Sequence, residues 1–251
     1  MKENLKISCY CSTFGRPNLL EESIESFLRQ TYKNKELVIV NDCKEQKLIF
    51  NHPEVKIINL DKRINPIGKK FNFSANSCSG NILTPWDDDD IFLPWKLETI
   101  AKHLNKGLFH TERAFFESKP EKLVLSRNLF HCNLAMRKMK FNSIGGYLEE
   151  NRRGLDSELI YKLNKEFGNF TKDIPDKEVF YIYRWSGADC LHLSSISNKN
   201  ANLEELYEKN ILNNINFKKG EIKLNPFWKF DYEKQIKDLL KKNETNPKTK
   251  N

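Results

Sequence analysis

The segment NILTPWDDDDIFLP, residues 81–94, ends a short apolar run with four consecutive aspartates. Ionised neighbours repel one another, so the four carboxylates are either solvated or gathered around a cation. Carboxylate oxygens are the hard ligands that Mg²⁺ and Mn²⁺ prefer. Trp86 before the run, and Phe92 and Leu93 after it, argue against a simple exposed loop. The segment therefore predicts a strand that delivers acidic ligands to a metal site.

The pattern around this segment alternates between short apolar runs and helical spacing. Strands are predicted at 6–13, 36–40, 55–60 and 81–85, and helices after the Gly15-Arg16-Pro17 turn and at 68–78, 94–105 and 155–167. Strands separated by helices are typical of β-α-β units. The strands show little polar alternation, as expected for a parallel sheet covered on both faces. The sequence therefore predicts an α/β fold with a mostly parallel sheet flanked by helices.

Composition limits the class of protein further. The 251 residues include 12% aromatic side chains, which need a core and exclude a disordered chain. No apolar run approaches the roughly 18 residues needed to span a bilayer. The first residues lack the apolar core of a signal peptide, so we expect a cytoplasmic protein, either free or peripheral to a membrane. Six cysteines without a C-x-x-C pair argue against a zinc site or a disulfide framework.

The positive charge is concentrated near the end of the chain. The formal net charge is +8, and residues 215–251, with ten lysines and five acidic residues, carry +5 of it. Helical spacing predicts helices at Leu203–Leu212 and 232–240, followed by a disordered tail at 241–251. A basic appendage of this kind often binds DNA or an anionic membrane surface. A Lys- and Asn-rich composition alone would also explain it.

Several isolated polar residues have both a functional and a structural interpretation. Asp42 follows the second strand and would share the aspartates' edge of the sheet, where ligands gather, although it could be a turn former. Lys69 and Lys70 could reach a phosphate or simply be a solvated helix start. Asp156 opens a helix, where a carboxylate is stabilised by the helix dipole or acts as a general base. His192 is a candidate metal ligand, although a lone histidine is more often structural.

Together these segments resemble the inverting family 2 glycosyltransferases, which have the GT-A fold, over about residues 6–163. Thr13-Phe14-Gly15-Arg16-Pro17 is similar to the family's opening strand and turn, and residues 36–42 (ELVIVND) to the strand that delivers an aspartate to the nucleotide base. Residues 65–68 with Asn72 look like the segment lining the nucleotide site, and residues 87–94 resemble the metal-binding D-x-D motif. Gly154-Leu155-Asp156 resembles the segment that ends in the catalytic acid.

The resemblance implies a role for each of these positions. Asp89 would be the main ligand of Mn²⁺ or Mg²⁺, and Asp156 would be the catalytic base. The nucleotide-sugar would contact Thr13, Asp42, Asn65, Gly68, Lys69, Asn72, Asp87 and Asp88. The chain departs from the family pattern at Asn41-Asp42, usually two aspartates, and at Leu155-Asp156, usually Glu-Asp.

The resemblance also implies an activity and a domain plan. A GT-A domain would occupy residues 1–200, with a nucleotide-sugar half at about 1–105 and an acceptor half at about 106–200, before a helical appendage at 201–251. The expected reaction moves a sugar from a nucleotide-sugar donor, first a UDP-sugar, to a hydroxyl acceptor in polysaccharide or glycolipid (lipid-linked) synthesis. Three alternatives stay open: glycosylation of hydroxymethylated bases in phage-type DNA, a non-catalytic GT-A-like binding module, and a nucleotidyltransferase that releases pyrophosphate.

Overall fold

The computed structural model describes residues 5–119, 122–150, 153–185 and 203–245. The strands are β1 (Ile7–Thr13), β2 (Lys35–Asn41), β3 (Gln46–Ile49), β4 (Val55–Asn59), β5 (Ile82–Pro85), β6 (Ile91–Phe92), β7 (Leu108–Phe109), β8 (Arg113–Lys119), β9 (Lys122–Arg127), β10 (Ala135–Arg137), β11 (Tyr181–Arg184) and β12 (Gly220–Lys223). The helices are α1 (Pro17–Leu28), α2 (Ile67–Asn76), α3 (Lys96–His103), α4 (Lys138–Ser143), α5 (Leu155–Phe167), α6 (Leu203–Leu212) and α7 (Tyr232–Thr245).

A six-stranded sheet in the order β4-β2-β1-β5-β10-β7 forms the centre of the molecule. The first four of these strands run parallel, whereas β10 is antiparallel to both β5 and β7. The register aligns Thr13 with Asn41, so the carboxyl ends of β1 and β2 meet at one edge. The expectation of a mostly parallel α/β sheet is confirmed, and each of its four predicted strands lies within two residues of its predicted bounds.

A second sheet, in the order β6-β11-β8-β9, continues from the four aspartates. Strand β6 starts directly after Asp90 and pairs with β11. The Asp90 carboxylate accepts hydrogen bonds from the Tyr181 hydroxyl, at 2.5 Å, and from the Arg184 amide, at 2.8 Å. One aspartate of the run therefore joins the two sheets.

The largest cluster of buried apolar side chains lies between the central sheet, α1 and the second sheet. Leu20, Ile24 and Phe27 form the buried stripe of α1, and each is fully buried. The Trp86 ring packs 5.9 Å from that of Phe27 and 4.1 Å from that of Phe92, measured between centroids. Truncating such a buried aromatic side chain lowers the free energy of unfolding by about 3–5 kcal/mol. Trp86 therefore fixes the position of the aspartate run that follows it.

The C-terminal segment is built into the fold. Strand β12 pairs in parallel with β3, an edge pairing that the sequence pattern did not predict. Helix α7 buries Tyr232 and Ile236, which are each 1% exposed, against the main core. The prediction of disorder from residue 241 is wrong for residues 241–245. The apolar side chains of α7 that pack on the core stabilise a helix, and this helix continues through Thr245. Residues 246–251 lie outside the described residues.

None of the helices in the described parts of the chain combines the length and the apolar character required to cross a membrane.

Candidate active site at the carboxyl edge of the sheet

Three predicted site residues meet where the parallel strands end. The Thr13 hydroxyl, at the end of β1, donates a hydrogen bond of 2.5 Å to Oδ2 of Asp88, which follows β5. Asp42 follows β2 and receives the Ile64 amide on Oδ2 at 3.0 Å. Thr13, Asp42 and Asp88 are each only 1% exposed. The edge therefore holds buried carboxylates, which require charged partners.

Basic side chains from three other segments supply those partners. The Arg16 guanidinium contacts the carboxylates of both Asp88 and Asp89, the latter at 2.8 Å. On the other side, Oδ1 of Asp42 receives Lys70 Nζ and Arg63 Nη1, each at 2.6 Å. Every one of these three carboxylates thus lies against a cation from the protein.

The ammonium of Lys70 is the most deeply buried of these cations. Besides Asp42 it donates to the Thr13 carbonyl at 2.7 Å. Burial lowers the pKa of Lys70 to about 8, even though Asp42 favours the charged form. Buried cations paired with a carboxylate are a common feature of functional sites.

The aspartate run as a whole offers a set of oxygen ligands. Carboxylate oxygens of Asp87, Asp89 and Asp90 lie within 4.8 Å of one another. Burial and mutual repulsion raise the pKa of Asp87 to about 7 and that of Asp90 to about 8. A divalent cation would relieve both effects, because carboxylate oxygens at this spacing are suitable ligands for Mg²⁺ or Mn²⁺.

A second grouping shares Asp87 but fits a metal less well. Asp87, His131 and Cys132 also bring ligand atoms within 4.8 Å. Burial raises the pKa of the Cys132 thiol well above its usual value, whereas metal ligation requires the thiolate. The His131 imidazole is hydrogen-bonded to the Tyr147 hydroxyl. The acidic group is therefore the better candidate.

An open cleft of about 370 Å³ adjoins the aspartates and contains the predicted base. Helix α5 begins after Gly154, whose φ of 77° suits glycine, and carries Asp156 in its first turn. Asp87 and Asp156 both line the cleft, together with four aromatic residues, namely Phe71, Phe130, Tyr181 and Tyr183. The structure thus brings an acid of the D-x-D-like run and the carboxylate of α5 to one cavity.

A buried chain of polar side chains lies on the wall of this cleft. The Tyr147 hydroxyl contacts His131 and lies 2.5 Å from the Tyr10 hydroxyl. Burial lowers the pKa of His131 to about 4, so its imidazole is neutral near Asp156 at physiological pH. These hydrogen bonds connect Tyr10 of β1 to the wall of the cleft through neutral side chains.

Other predicted nucleotide contacts lie apart from the carboxylates. Asn65 and Lys69 are exposed. The Asn72 amide donates to the Tyr147 carbonyl at 3.0 Å and accepts from the Tyr147 amide at 2.9 Å, so it fastens α2 to the loop before α5. Gly68, in the first turn of α2, packs closely against the same loop, because a Cβ there would lie 1.9 Å from the Leu148 carbonyl oxygen. His192 lies outside the described residues.

The sequence pattern assigned no role to three arginines that organise the site, namely Arg16, Arg63 and Arg184. The Arg184 guanidinium donates to the Asp89 carbonyl oxygen at 2.5 Å and contacts Glu22 at 2.6 Å. Lys70, by contrast, is one of the two lysines considered as phosphate contacts, and it lies one turn from Ser74 on the buried face of α2, whereas its neighbour Lys69 faces solvent. The arginines contact residues that lie 21 to 162 positions away in the sequence, and no local pattern reports such contacts.

A sequence profile described as "Glycosyl transferase family 2" matches residues 8–157, more than half of the chain. The chain belongs to glycosyltransferase family 2. The matched region contains the carboxyl edge of the sheet and ends at the start of α5.

Curated proteins with similar sequences carry related names. An uncharacterised glycosyltransferase of Bacillus subtilis, YwdF, is 32% identical over 134 residues, half of each chain. A putative colanic acid biosynthesis glycosyl transferase of Escherichia coli, WcaA, is 31% identical over 44% of this chain and 42% of its own length. A GalNAc(5)-diNAcBac-PP-undecaprenol beta-1,3-glucosyltransferase of Campylobacter jejuni is 31% identical over 42% of this chain and 36% of its own. The chain thus spans half or less of the length of these relatives.

Solved glycosyltransferase structures share the fold. S. aureus TarS 1-349 in complex with UDP-GlcNAc superposes with a TM-score of 0.61 at 16% identity, covering 83% of this chain and 70% of TarS 1-349. The mannosyltransferase PcManGT from Pyrobaculum calidifontis, in complex with GDP-Man and Mn²⁺, gives 0.54 at 15% identity, covering 71% and 56%. The expected GT-A fold is confirmed.

Proposed function

We propose that this chain transfers a sugar from a UDP-sugar to a saccharide hydroxyl with inversion, with the help of a divalent cation. The observation that carries the proposal is that Asp87 and Asp156 line one cleft from two different elements. Asp87 belongs to the aspartate run at the carboxyl edge of the sheet, and we call this edge, formed by Thr13, Asp42 and residues 87–90, the donor edge. Asp156 belongs to the start of α5. A sugar held between them would have a leaving group on one side and an attacking hydroxyl on the other.

The acidic run would hold the cation. Asp89 and Asp87 are the candidate ligands, whereas Asp90 already joins the two sheets through Tyr181. When bound, Mn²⁺ or Mg²⁺ would neutralise charge that develops on the departing diphosphate. Asp88 is held by Thr13 and Arg16, which orients its carboxylate beside that position.

Asp156 would act as the general base. It lies in the first turn of α5 and lines the cleft, within reach of a bound acceptor hydroxyl. It would take the proton of the acceptor hydroxyl as the hydroxyl oxygen attacks the anomeric carbon. The bond from that carbon to the diphosphate breaks on the opposite face, which gives inversion.

The proposal that the donor is a UDP-sugar rests on the residues at the carboxyl edge of the sheet. Asp42 and Thr13 occupy the carboxyl ends of neighbouring strands, where ligands bind in open α/β sheets. The TarS structures include complexes with UDP and with UDP-GlcNAc, which favours a uridine nucleotide. The PcManGT complex with GDP-Man makes a guanosine nucleotide the natural comparison in an assay.

An aromatic strip supports a saccharide acceptor. The ring of Tyr183, which lines the cleft, lies 5.5 Å from that of Phe130 and 5.9 Å from that of Trp185. Trp185 is 41% exposed, so the strip leads from the cleft to the surface. Flat, partly exposed rings suit the apolar faces of sugars. Saccharide acceptors also agree with the names of the WcaA and undecaprenol-linked relatives.

The DNA alternative gains no such support. Helix α7 carries four lysines and three acidic residues, so its net charge is only +1, whereas affinity for DNA depends on concentrated positive charge. Binding of the C-terminal segment to a membrane, and the cytoplasmic location, remain predictions. A saccharide acceptor linked to lipid would bring the protein to a membrane surface without any helix crossing it.

Donor hydrolysis without acceptor tests the proposal. UDP-GlcNAc, UDP-glucose and GDP-mannose are incubated with the protein and Mn²⁺, and released nucleotide is measured with and without EDTA. We expect slow, EDTA-sensitive release from a UDP-sugar, and loss of that release in Asp89→Ala but not in the exposed control Asp61→Ala. Binding of UDP without any release from the donors would favour a non-catalytic module. Pyrophosphate release from a nucleoside triphosphate would instead favour a nucleotidyltransferase.

A further inference from the structure

Helix α6 packs directly over the loop that leads out of β1. Tyr207 and Ile211, on one face of α6, form a small apolar cluster with Phe14 and Cys43. Gly15 fits beneath the helix so closely that a Cβ there would lie 2.3 Å from a methyl carbon of Ile211. The contact is therefore complementary in shape, not a loose association of the C-terminal segment.

An ion-pair chain connects α6 to the donor edge. Arg63 Nε donates to Glu208 Oε1 of α6 at 2.5 Å, while Nη1 of the same guanidinium donates to Asp42 at 2.6 Å. The guanidinium also lies 4.3 Å from the centre of the Phe14 ring. On the other side, the Arg16 guanidinium lies 5.7 Å from the centre of the Tyr207 ring. Two arginines that neutralise the site's aspartates thus also hold α6.

The groove directly beneath α6 is too small for a nucleotide. The groove between the β1 loop and α6, lined by Gly15, Arg16, Ile211 and Phe217, has a volume of about 50 Å³. Pockets that take ligands of nucleotide size measure roughly 300–1,000 Å³. Thr13, Asp42 and Asp88 are buried in addition. A nucleoside diphosphate that contacts these residues must therefore displace part of the protein.

Among the described residues, few buried side chains hold α6 in place over the edge. Its face contributes two buried side chains, Tyr207 and Ile211, to a cluster of four that is separate from the main core, and Leu206 packs against this cluster while only partly buried. The chain after α6 is fixed independently, because β12 pairs with β3 and α7 docks on the core. Elements with few buried contacts open at lower free energy than the core.

We propose that α6 is a movable wall of the donor site, latched by the Arg63–Glu208 ion pair, and that a nucleoside diphosphate enters when this pair opens. The proposal rests on the proposed function, since it requires a nucleotide to bind at Asp42 and Asp88. Opening would uncover Phe14, Cys43 and the arginines, and would leave the cleft at Asp156 unchanged.

Cys43 gives a native reporter of the open state that needs no ligand. Its thiol is buried next to Tyr207 and Ile211, whereas Cys9, Cys11, Cys78 and Cys132 lie elsewhere in the buried interior and serve as internal standards. Labelling by N-ethylmaleimide is followed residue by residue with mass spectrometry. We expect Glu208→Gln and the stronger change Glu208→Lys to raise the Cys43 rate about three- to tenfold, as expected for loss of a partly exposed ion pair. The matched control, Glu205→Gln, changes an exposed acid on the same helix and should leave the rate unchanged.

The rate of UDP association, measured in the presence of Mn²⁺, links the opening to the donor site. The same Glu208 variants should raise this rate by the factor found for Cys43. Unchanged Cys43 labelling in both variants would overturn the latch. Faster labelling with an unchanged UDP association rate would overturn α6 as the route of the nucleotide. If neither UDP nor GDP binds to any variant, the proposed function fails, and that failure is separate from the labelling result.

Discussion

The proposed donor edge and the proposed acceptor cleft hold similar acidic groups in opposite ways. At the donor edge Asp42, Asp88 and Asp89 are at most 5% exposed, and each lies against a cation of the protein. In the cleft, Asp156 lines an open cavity of about 370 Å³ with aromatic walls. The cleft is therefore open in this structure, whereas the carboxylates of the proposed donor edge are buried and neutralised by cations of the protein.

This difference has an energetic consequence. Buried ion pairs recover their desolvation free energy only through close partners, and removing one partner leaves an uncompensated charge. Ligand binding at the donor edge must therefore exchange one set of charge contacts for another. At the cleft a ligand mainly displaces water, so substitutions there should affect turnover rather than stability.

The largest expected effect lies in the cleft. Asp156→Asn should lower sugar transfer by roughly 10²–10⁴-fold, the usual contribution of a general base, while UDP affinity stays unchanged. Initial rates with the best donor, alongside UDP titration, measure both quantities. Glu166→Gln, which changes an exposed acid on the same helix, is the control. A rate of sugar transfer by Asp156→Asn equal to that of the wild type would mean that another residue is the general base.

The next effect concerns stability of the donor edge. Asp42→Asn leaves Lys70 and Arg63 without their shared carboxylate, and should lower the free energy of unfolding by about 3–5 kcal/mol. Denaturant unfolding measures it, with Asp61→Asn as a matched exposed control. Adding Lys70→Met to the Asn variant should restore part of the loss, because the buried charge is then gone. Equal stability of Asp42→Asn and the wild type would mean that this edge is not held by charge pairing.

Acid should weaken the acceptor side through His110. This buried imidazole lies 3.3 Å from the carbonyl of Phe130, a residue of the cleft wall, and burial lowers its pKa to about 4. Between pH 6.5 and 4 the unfolded chain binds a proton that the folded chain does not. The contribution of His110 to the free energy of unfolding is therefore fully present above pH 6.5. It falls by roughly 3 kcal/mol as the pH drops from 6.5 to 4.

Unfolding free energies measured from pH 7 to pH 4 test this sign. In His110→Gln the decline with acid should be shallower than in the wild type. A decline of the same steepness in both proteins would remove His110 as its cause.

The smallest expected effect tests the aromatic strip. Tyr183→Ala should raise the acceptor KM up to about tenfold, in line with the contribution of one aromatic contact, with donor hydrolysis unchanged. The comparison variant is Tyr161→Ala, which alters an exposed tyrosine of α5 outside the cleft lining. An equal rise in both variants would argue against a specific platform at Tyr183.

The sequence predicted the parallel sheet well because its strands and helices have strong local periodicity. The bounds of α5 and α6 match the predicted ranges, and Asp42, Asp88 and Asp156 lie where strand ends and a helix start placed them. The pattern could not supply the two- and four-residue strands β6, β7 and β3, which depend on tertiary pairing. Nor could it supply the pairing of Arg63 with Asp42 and Glu208, because such contacts exist only after distant segments meet.

The central claim is that a nucleotide and a divalent cation bind together at the closed donor edge, and calorimetric titration of UDP tests it most directly. The titration is run with Mn²⁺ and with EDTA on the wild type, Asp89→Asn and the control Asp61→Asn. We predict UDP affinity at least about tenfold higher with Mn²⁺ in the wild type and the control, since the cation joins the diphosphate to the carboxylates. Asp89→Asn should lose that gain. UDP affinity that is the same with Mn²⁺ and EDTA, or a full Mn²⁺ gain in Asp89→Asn, would contradict the account.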